Sequence, residues 1–233
     1  MLDLFVRIPF EKLEMSSKVL KTLKVDISAG LNYLIKENPV LLKLTVVFSI
    51  VNLFIMPIFA ITAPYIVRVV FGASEEAFGL AKAFTGLGGV LAGILAGRLK
   101  NWLTVGHFYK WLLVLIVPLA VIAFSTFPTM LTRHWLSFGL FHVSLLFIIG
   151  IGTFLAILAN VEMQQKTPLQ LMGRVDAFIT LVSNLTVPIG QLLMGLLMGL
   201  FSAQLFILFL GIMIMMAILS FVAKISVATQ PAL

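Results

Sequence analysis

The sequence predicts an all-α membrane protein with six transmembrane helices, both termini in the cytoplasm, and an amphipathic cytoplasmic helix before the first span. Three observations lead to this prediction. The chain is very apolar, it contains six stretches of membrane-crossing length, and its basic residues are divided unequally between the turns. Of its 233 residues, 61% are hydrophobic and 11% are charged. Soluble domains carry roughly 45–50% apolar and about 25% charged residues, so a soluble enzyme and a disordered chain are excluded.

The six spans follow from apolar length. A helix needs about 20 apolar residues to cross the hydrocarbon core of a bilayer. Six stretches meet this requirement: 44–67, 77–97, 108–127, 136–160, 175–200 and 203–223. We therefore divide the chain into a cytoplasmic segment at 1–43, a six-helix transmembrane bundle at 44–223 and a cytoplasmic tail at 224–233.

The basic residues predict the orientation of the bundle. Of the 16 Lys and Arg residues, all except Arg68, Lys82 and Arg133 fall on the side of the membrane that carries both termini. Loops rich in Lys and Arg stay in the cytoplasm, so we expect both termini there and a multi-pass protein of the plasma membrane. Basic loops also account for the net charge of +7, and no nucleic-acid partner is needed to explain it.

The amphipathic helix is predicted over residues 11–37. Apolar residues recur there at three- and four-residue spacing, and Asn38-Pro39 ends the helix. The recurring residues are Leu13, Leu20, Leu23, Ile27, Leu31, Leu34 and Ile35. Such a helix can lie along the membrane surface, and a solvated linker helix explains the pattern equally well.

Glycines predict where helices approach each other closely, because small residues allow backbones to meet in lipid. In the second span Gly89, Gly93 and Gly97 recur every four residues. The fifth and sixth spans are expected to meet near Gly190, Gly195 and Gly199, of which the last two form a GxxxG pair. We assign these stripes to helix packing, with a sliding or rocking interface as the alternative.

Prolines interrupt three of the spans. Pro57 and Pro64 lie in the first span, Pro118 in the third and Pro188 in the fifth. Proline removes a backbone donor, and a neighbouring helix or water must then satisfy the freed carbonyl. This pattern is common in transporters and also occurs in inert bundles.

Polar residues at membrane depth are the candidate functional residues. Lys82 lies about five residues into the second span, where it either extends to the interface or faces a water-filled cavity. Asn52, Asn184 and Gln191 either line a polar pathway or form hydrogen bonds between helices. His142 is read as a packing residue, with a proton relay as the alternative.

No catalytic or metal-binding pattern is present in the sequence. HExxH, GxSxG and Walker motifs are all missing, the chain has no Cys, and its three His residues are not spaced as metal ligands. We therefore expect no enzymatic activity, no metal and no cofactor.

The stretch from Glu162 to Gly199 carries a recognisable pattern. Gln164, Pro168 and the run Gly173-Arg174-Val175 form a Q-x-x-x-P-x-x-x-x-G-R-V sequence. This run resembles the loop before the eleventh helix in major facilitator superfamily exporters of the macrolide-efflux and enterobactin-exporter type.

The rest of the chain resembles the same half of those exporters. Arg7-Ile8-Pro9 with the basic segment after it is similar to their long central loop. Asn52 with Pro57 and Pro64 resembles their seventh helix, and the glycines at 86–97 resemble their eighth. One departure lies after that helix, where the family motif is roughly G-x-L-x-D-R and this chain has Lys100-Asn101.

The resemblance implies half of a 12-helix major facilitator fold. It also implies a second six-helix half as partner, either an N-terminal half from another gene or a second copy of the chain. Such a pair would export an amphipathic small molecule, a drug or a siderophore, by alternating access as a proton-coupled antiporter. The alternatives are a truncated, inactive remnant and a non-transporting membrane accessory subunit.

The resemblance also implies roles for particular residues. The substrate cavity would be lined by Asn52, Lys82, Asn184 and Gln191. The cytoplasmic gate would be formed by Gln164, Lys166, Arg174 and Asp176.

Overall fold

The structure is a computed structural model that describes residues 17–202 and 204–226, with side chains from Val25 onward. All secondary structure among these residues is helical. The helices are α1 (Ser17–Lys36), α2 (Pro39–Val70), α3 (Glu75–Ala96), α4 (Phe108–Ser125), α5 (His134–Lys166), α6 (Leu169–Leu200) and α7 (Leu205–Ser226). The last six have the length and apolar composition to cross a membrane, which confirms the predicted all-α fold with six helices of membrane-crossing length.

Local sequence explains where several helices begin and end. Asn38 caps α2, since its side-chain oxygen accepts a hydrogen bond from the Leu41 amide at 3.1 Å, and Pro39 opens the first turn. Ser74 caps α3 in the same way through the Ala77 amide at 3.2 Å. The α2–α3 turn uses Gly72 at φ +59, a conformation that suits glycine.

Several spans extend beyond the predicted apolar windows, two of them by six residues. The fourth span was predicted at 136–160, whereas α5 continues to Lys166. The fifth was predicted at 175–200, whereas α6 begins at Leu169. Apolar windows end at the first charged residues, but a helix can continue through polar residues until a proline interrupts it. Here the interruption is Thr167-Pro168, the short link between α5 and α6.

The prolines of α2 are accommodated by changes in helix type. After Pro57 the chain forms a π-helical segment at Ile58–Thr62, and after Pro64 a second one at Ile66–Val70. The span therefore continues as one helix in spite of the missing proline donors. Pro118 and Pro188 lie inside the uninterrupted helices α4 and α6.

The six spans pack as two units of three helices with the same pattern of contacts. The second helix of each unit packs on the first helix of the other, so α3 contacts α5 and α6 contacts α2. The third helices, α4 and α7, pack on each other at the centre. The contact of α4 with α5 likewise has its counterpart in the contact of α7 with α2. Equivalent contacts of this kind arise when two copies of a three-helix repeat are related by a two-fold axis in the membrane plane.

Glycines form the two equivalent helix crossings. A Cβ added to Gly88 of α3 would overlap the backbone carbonyl of Leu146 in α5. A Cβ added to Gly190 of α6 would overlap the carbonyl of Leu53 in α2. The prediction that Gly190 lies where the fifth and sixth spans meet is therefore wrong, because its close contact is with the first span.

The other predicted packing glycines have few neighbours within the chain. An added Cβ at Gly89 would lie 3.3 Å from Ile149 Cγ2 and 3.4 Å from Thr153 Oγ1, which is tight contact with α5. For Gly93, Gly97, Gly195 and Gly199, no atom of the described residues lies within 4 Å of an added Cβ. Any packing role of these four therefore requires a partner outside the described part of the chain.

The main core lies between α2, α4, α5 and α7. Phe108, Phe141 and Phe209 are among its largest fully buried side chains, and Leu and Ile fill the space between them. Aliphatic and aromatic side chains with no polar atoms can fill such a core without unsatisfied hydrogen bonds. The helices that contribute least to it are α3 and α6.

Helix α1 packs against the end of the bundle. The predicted helix covered residues 11–37, of which residues 11–16 lie outside the described part of the chain. Leu34 is fully buried in a small cluster with Leu41, Met163 and Val175. An added Cβ at Gly30 would overlap the Arg174 carbonyl, so the α1 backbone lies directly on α6. We call this the α1 end of the bundle.

Candidate functional site

The α3 and α6 helices have the largest uncovered surface among the spans. In their most apolar windows, 22% and 17% of residues are buried, against 39–44% in the other four spans. A difference of about twofold shows that these two helices each contact the bundle on one side only. Their remaining surface is available to lipid, to another protein or to a substrate.

The uncovered surface of α6 is divided into two sides of different chemistry. One side carries large aliphatic residues: Leu185, Ile189, Leu192, Leu196 and Leu200. The other side carries small or polar residues at three- and four-residue spacing, and we call it the α6 stripe: Gly173, Ala177, Thr180, Asn184, Pro188, Gln191, Gly195 and Gly199. Lipid tails match the aliphatic side, whereas glycines and amides are typical of protein interfaces and polar pathways.

The uncovered surface of α3 is divided in the same way. Its aliphatic side consists of Leu80, Leu87, Val90, Leu91 and Ile94. Its small and polar side, the α3 stripe, consists of Gly79, Lys82, Gly86, Gly93 and Gly97, with Gly89 at its edge in contact with α5. The same chemical division therefore occurs on the corresponding helix of each three-helix unit.

The two stripes correspond at several positions counted from the crossing glycines. Relative to the crossing glycines Gly88 and Gly190, each helix has a glycine five positions later and another nine positions later. Lys82 and Asn184 occupy the same position, six residues before the crossing glycine. The predicted packing glycines and two of the predicted cavity residues therefore belong to one repeated pattern, which sequence reasoning missed although the glycine spacing alone displays it.

The structure distributes the four predicted cavity residues unequally. Lys82 and Asn184 are exposed on their stripes, and Gln191 is half-exposed on the α6 stripe. Asn52 is instead buried inside the bundle on α2. Glu75, the carboxylate seven residues before Lys82 at the start of α3, pairs with Arg68 at 2.5 Å.

The α1 end of the α6 stripe contains a groove of about 480 Å³. Asp26 and Ile27 of α1 form one wall, and α6 forms the other. The α6 residues of this wall are Gly173, Arg174, Ala177, Thr180, Leu181, Asn184 and Leu185. Its volume lies within the range of small-molecule sites.

An ion pair lies at the mouth of this groove. Arg174 Nε is 2.9 Å from Asp26 Oδ1, and both side chains are partly exposed, at 48% and 34%. Two of the predicted gate residues therefore have different surroundings: Arg174 is joined to α1, whereas Asp176, two residues further along α6, is exposed. The pairing partner Asp26 was not among the predicted site residues, because more than a hundred residues separate it from Arg174 along the chain.

The remaining gate residues lie at the end of α5. Lys166 Nζ pairs with Glu162 Oε1 at 2.6 Å, and the Lys166 carbonyl accepts a hydrogen bond from the Tyr33 hydroxyl at 2.7 Å. Burial, and then the negative charge of Glu37, raise the pKa of the Tyr33 phenol above its ordinary value, so it remains a donor. Gln164 is exposed. Helix α1 thus bonds to both sides of the short α5–α6 link.

His142 has the surroundings of a packing residue. It is buried in α5, and its Nδ1 lies 2.8 Å from the Phe138 carbonyl, which can only accept a hydrogen bond. Its ring also contacts the rings of Phe138 and Phe141. These contacts favour the packing interpretation.

Metal ligands are not grouped anywhere in the described part of the chain, where no three His, Asp or Glu residues come together. The arrangement instead offers two stripes at span depth and one groove at the α1 end. Comparison with known proteins adds no further assignment, since the chain matches no protein-family model, no curated protein and no solved structure.

Proposed function

We propose that the chain is one half of an exporter of the major facilitator type, with a second six-helix bundle as its partner. The pair moves an amphipathic small molecule, a drug or a siderophore, out of the cell by alternating access, with coupling to the proton gradient. The chain acts as a transporter subunit and not as an enzyme. Both termini lie in the cytoplasm, and the protein is located in the plasma membrane.

The observation that carries this proposal is the pair of stripes on α3 and α6. Each stripe places glycines and polar side chains on an uncovered helix surface at span depth. Lipid tails cannot hydrogen-bond to Asn184 or Gln191, and they gain little from contact with a glycine surface. A second helical bundle with a polar cavity between the two bundles satisfies both the amides and the small-residue surfaces.

The packing of the spans supports the same proposal. Two three-helix units with equivalent contacts form a six-helix half, and alternating access needs two such halves that rock against each other. The partner is an N-terminal half from another gene or a second copy of this chain. In the copy model, the two-fold axis runs along the membrane normal.

Within this model, the exposed polar residues have distinct roles. Lys82 and Asn184 line the substrate cavity from equivalent positions on α3 and α6, and Gln191 lies seven residues beyond Asn184 on α6. Asn52 contributes from α2 only when that helix moves, since it is buried here. The gate consists of Gln164, Lys166, Arg174 and Asp176 at the α1 end.

The experiment is an accumulation assay in cells that lack their own drug exporters. We would express the chain and measure retained ethidium and retained tris-catecholate siderophore. Expression should lower the retention of one of them, and Lys82→Ala or Asn184→Ala should restore it to the empty-vector level. The matched control is Lys36→Ala, which removes an exposed lysine from the last turn of α1, outside both stripes.

Two outcomes would contradict the proposal. Retention equal to the empty vector for the membrane-inserted chain, both alone and co-expressed with an N-terminal six-helix half encoded by another gene, would favour the inactive remnant. Co-purification with a full-length relative, without any transport that depends on Lys82 or Asn184, would favour the accessory subunit.

A further inference from the structure

We infer that the groove between α1 and α6 binds a zwitterionic amphiphile, whose head group lies at the Asp26–Arg174 pair and whose apolar body lies along α6. The chemistry required is an anionic and a primary ammonium group close together on an apolar chain. Aminophospholipids have this chemistry, and so do some soluble amphiphiles. The inference goes beyond the proposed transport, because the groove binds such a molecule whether or not the chain moves a substrate.

The Asp26–Arg174 ion pair has hydrogen-bonding groups that remain unused. The contact at 2.9 Å joins one guanidinium nitrogen of Arg174 to one carboxylate oxygen of Asp26. Arginine has further N–H donors and a carboxylate has a second oxygen. Within the described side chains, these remaining groups have no protein partner, and both residues are partly exposed to the groove.

The two opposite charges of the ion pair select for a zwitterionic ligand. A ligand with a single charge would pair with Arg174 or with Asp26. It would then compete with the other residue of the ion pair and leave that residue's charge unpaired. A zwitterion places its anionic group on Arg174 and its ammonium group on Asp26, so all four charges are paired. Removing charges from water is favourable only when they are paired in this way, and this favours a zwitterion over an anion or a cation.

The walls of the groove suit an apolar chain in both length and chemistry. From Arg174 to Leu185 the groove follows α6 for roughly 16 Å at 1.5 Å per residue. Ile27, Leu181 and Leu185 provide an apolar surface along it, whereas the charges are confined to the α1 end. Leu185 also belongs to the aliphatic side of α6, so the groove opens at the boundary between that side and the α6 stripe. A molecule that arrives from the lipid phase can therefore enter it with its head group at the membrane surface.

The test uses native mass spectrometry of the full chain released from bilayers with equal amounts of phosphatidylethanolamine and phosphatidylglycerol. The wild type should retain phosphatidylethanolamine about tenfold over phosphatidylglycerol. Asp26→Asn should invert the preference, because Arg174 then attracts the anionic lipid alone. Arg174→Gln should lower the total amount of lipid retained but keep the preference for phosphatidylethanolamine, because Asp26 still attracts the ammonium group and repels the anionic lipid. Arg68→Gln, which breaks an exposed ion pair outside the groove, should behave as the wild type.

Two further measurements keep the result unambiguous. Thermal unfolding of each variant shows whether it is folded. If Arg174→Gln does not fold, the lipid preference of Asp26→Asn still tests the inference. Soluble O-phosphoethanolamine distinguishes the head group from the whole amphiphile, and it should bind at least tenfold more weakly than the lipid. Equal retention of both lipids by the wild type, an unchanged preference in Asp26→Asn, or equally strong binding of O-phosphoethanolamine would each overturn the inference.

Discussion

Gly190 of α6 lies directly against the backbone carbonyl of Leu53 in α2, so closely that no side chain fits between the two helices. Pro57, one turn further along α2, would lie 3.0 Å from a Cβ at the same position. Gly88 of α3 has the same relationship to Leu146 of α5. The two crossings hold α3 and α6 in equivalent places and determine which of their surfaces remain uncovered.

The α2–α6 crossing should not tolerate a methyl group. Gly190→Ala places a Cβ where a backbone carbonyl lies, and a carbonyl cannot move aside as a flexible side chain can. Overpacking of this kind costs about 1–3 kcal/mol, more than the helix propensity gained from alanine. We expect Gly190→Ala to have a lower midpoint of thermal unfolding in detergent, measured by size-exclusion chromatography of heated samples. Gly195→Ala is the matched control, because its Cβ meets nothing in the described chain, and an equal midpoint for both variants would contradict the crossing.

The α3–α5 crossing should respond in the same way if the two three-helix units are equivalent. Gly88→Ala should destabilise the bundle by a similar amount to Gly190→Ala, since it also meets a backbone carbonyl. Gly93→Ala is the corresponding control on α3. Thermal midpoints of the four variants in one detergent make the comparison. A neutral Gly88→Ala would show that the equivalence of the units does not extend to their energetics.

The attachment of α1 should depend more on close packing than on its ion pair. Gly30→Ala adds a methyl group against the Arg174 carbonyl and should separate α1 from α6. Asp26→Asn breaks a partly exposed ion pair, which is worth at most about 1 kcal/mol. Hydrogen exchange of the α1 amides should therefore accelerate much more in Gly30→Ala. Asn32→Ala, a change at an exposed position of the same helix, should leave the rate unchanged. Faster exchange of the α1 amides in Asp26→Asn than in Gly30→Ala would contradict the prediction that close packing matters more than the ion pair.

Tyr33 should make the stability of the α1 end depend on alkaline pH. Its pKa is raised above 10, so the neutral phenol is the form that the folded chain favours. The contribution is complete below pH 10 and is lost as the pH rises through the raised pKa. Tyr33→Phe removes the hydrogen bond to the Lys166 carbonyl, worth about 0.5–1.5 kcal/mol and nearer the lower value for an exposed group. The difference in thermal midpoint between the wild type and this variant should shrink between pH 8 and pH 11. A difference that stays constant over this range would contradict the assignment.

Hydropathy was sufficient to predict the all-α fold and the six spans, because the energetic requirement for crossing a bilayer acts on length and apolarity alone. It was less successful with helix ends. The polar last turns of α5 and the polar first turns of α6 are helical because they contain no proline. The helix is interrupted only at Pro168, which lies between them. An apolar window contains no information about such turns.

The crossing glycines show why packing was harder to predict. Gly88 and Gly89 are adjacent in the sequence, but only Gly88 meets a backbone carbonyl, since a step of one residue turns the helix by 100°. Spacing identifies a stripe without saying which neighbour it faces. The pairing of Asp26 with Arg174 was equally inaccessible, because it depends on how α1 folds back onto α6. The repeat of Lys82 and Asn184 around equivalent glycines was accessible, and a comparison of the second span with the fifth would have found it.

The central claim is that the α3 and α6 stripes face a polar cavity and a second bundle, and not lipid. The most direct measurement is thiol labelling in native membranes, which is straightforward because the sequence has no Cys of its own. Single cysteines at Asn184 and Gly195 on the α6 stripe would be compared with cysteines at Ile189 and Leu196 on its aliphatic side. We predict that a water-soluble maleimide labels the cysteine at Asn184 and that a second chain protects the cysteine at Gly195 until it is dissociated, while both aliphatic positions stay unlabelled before and after. Labelling of the stripe positions as slow as that of the aliphatic positions, before and after dissociation, would place the stripe in lipid and contradict the claim.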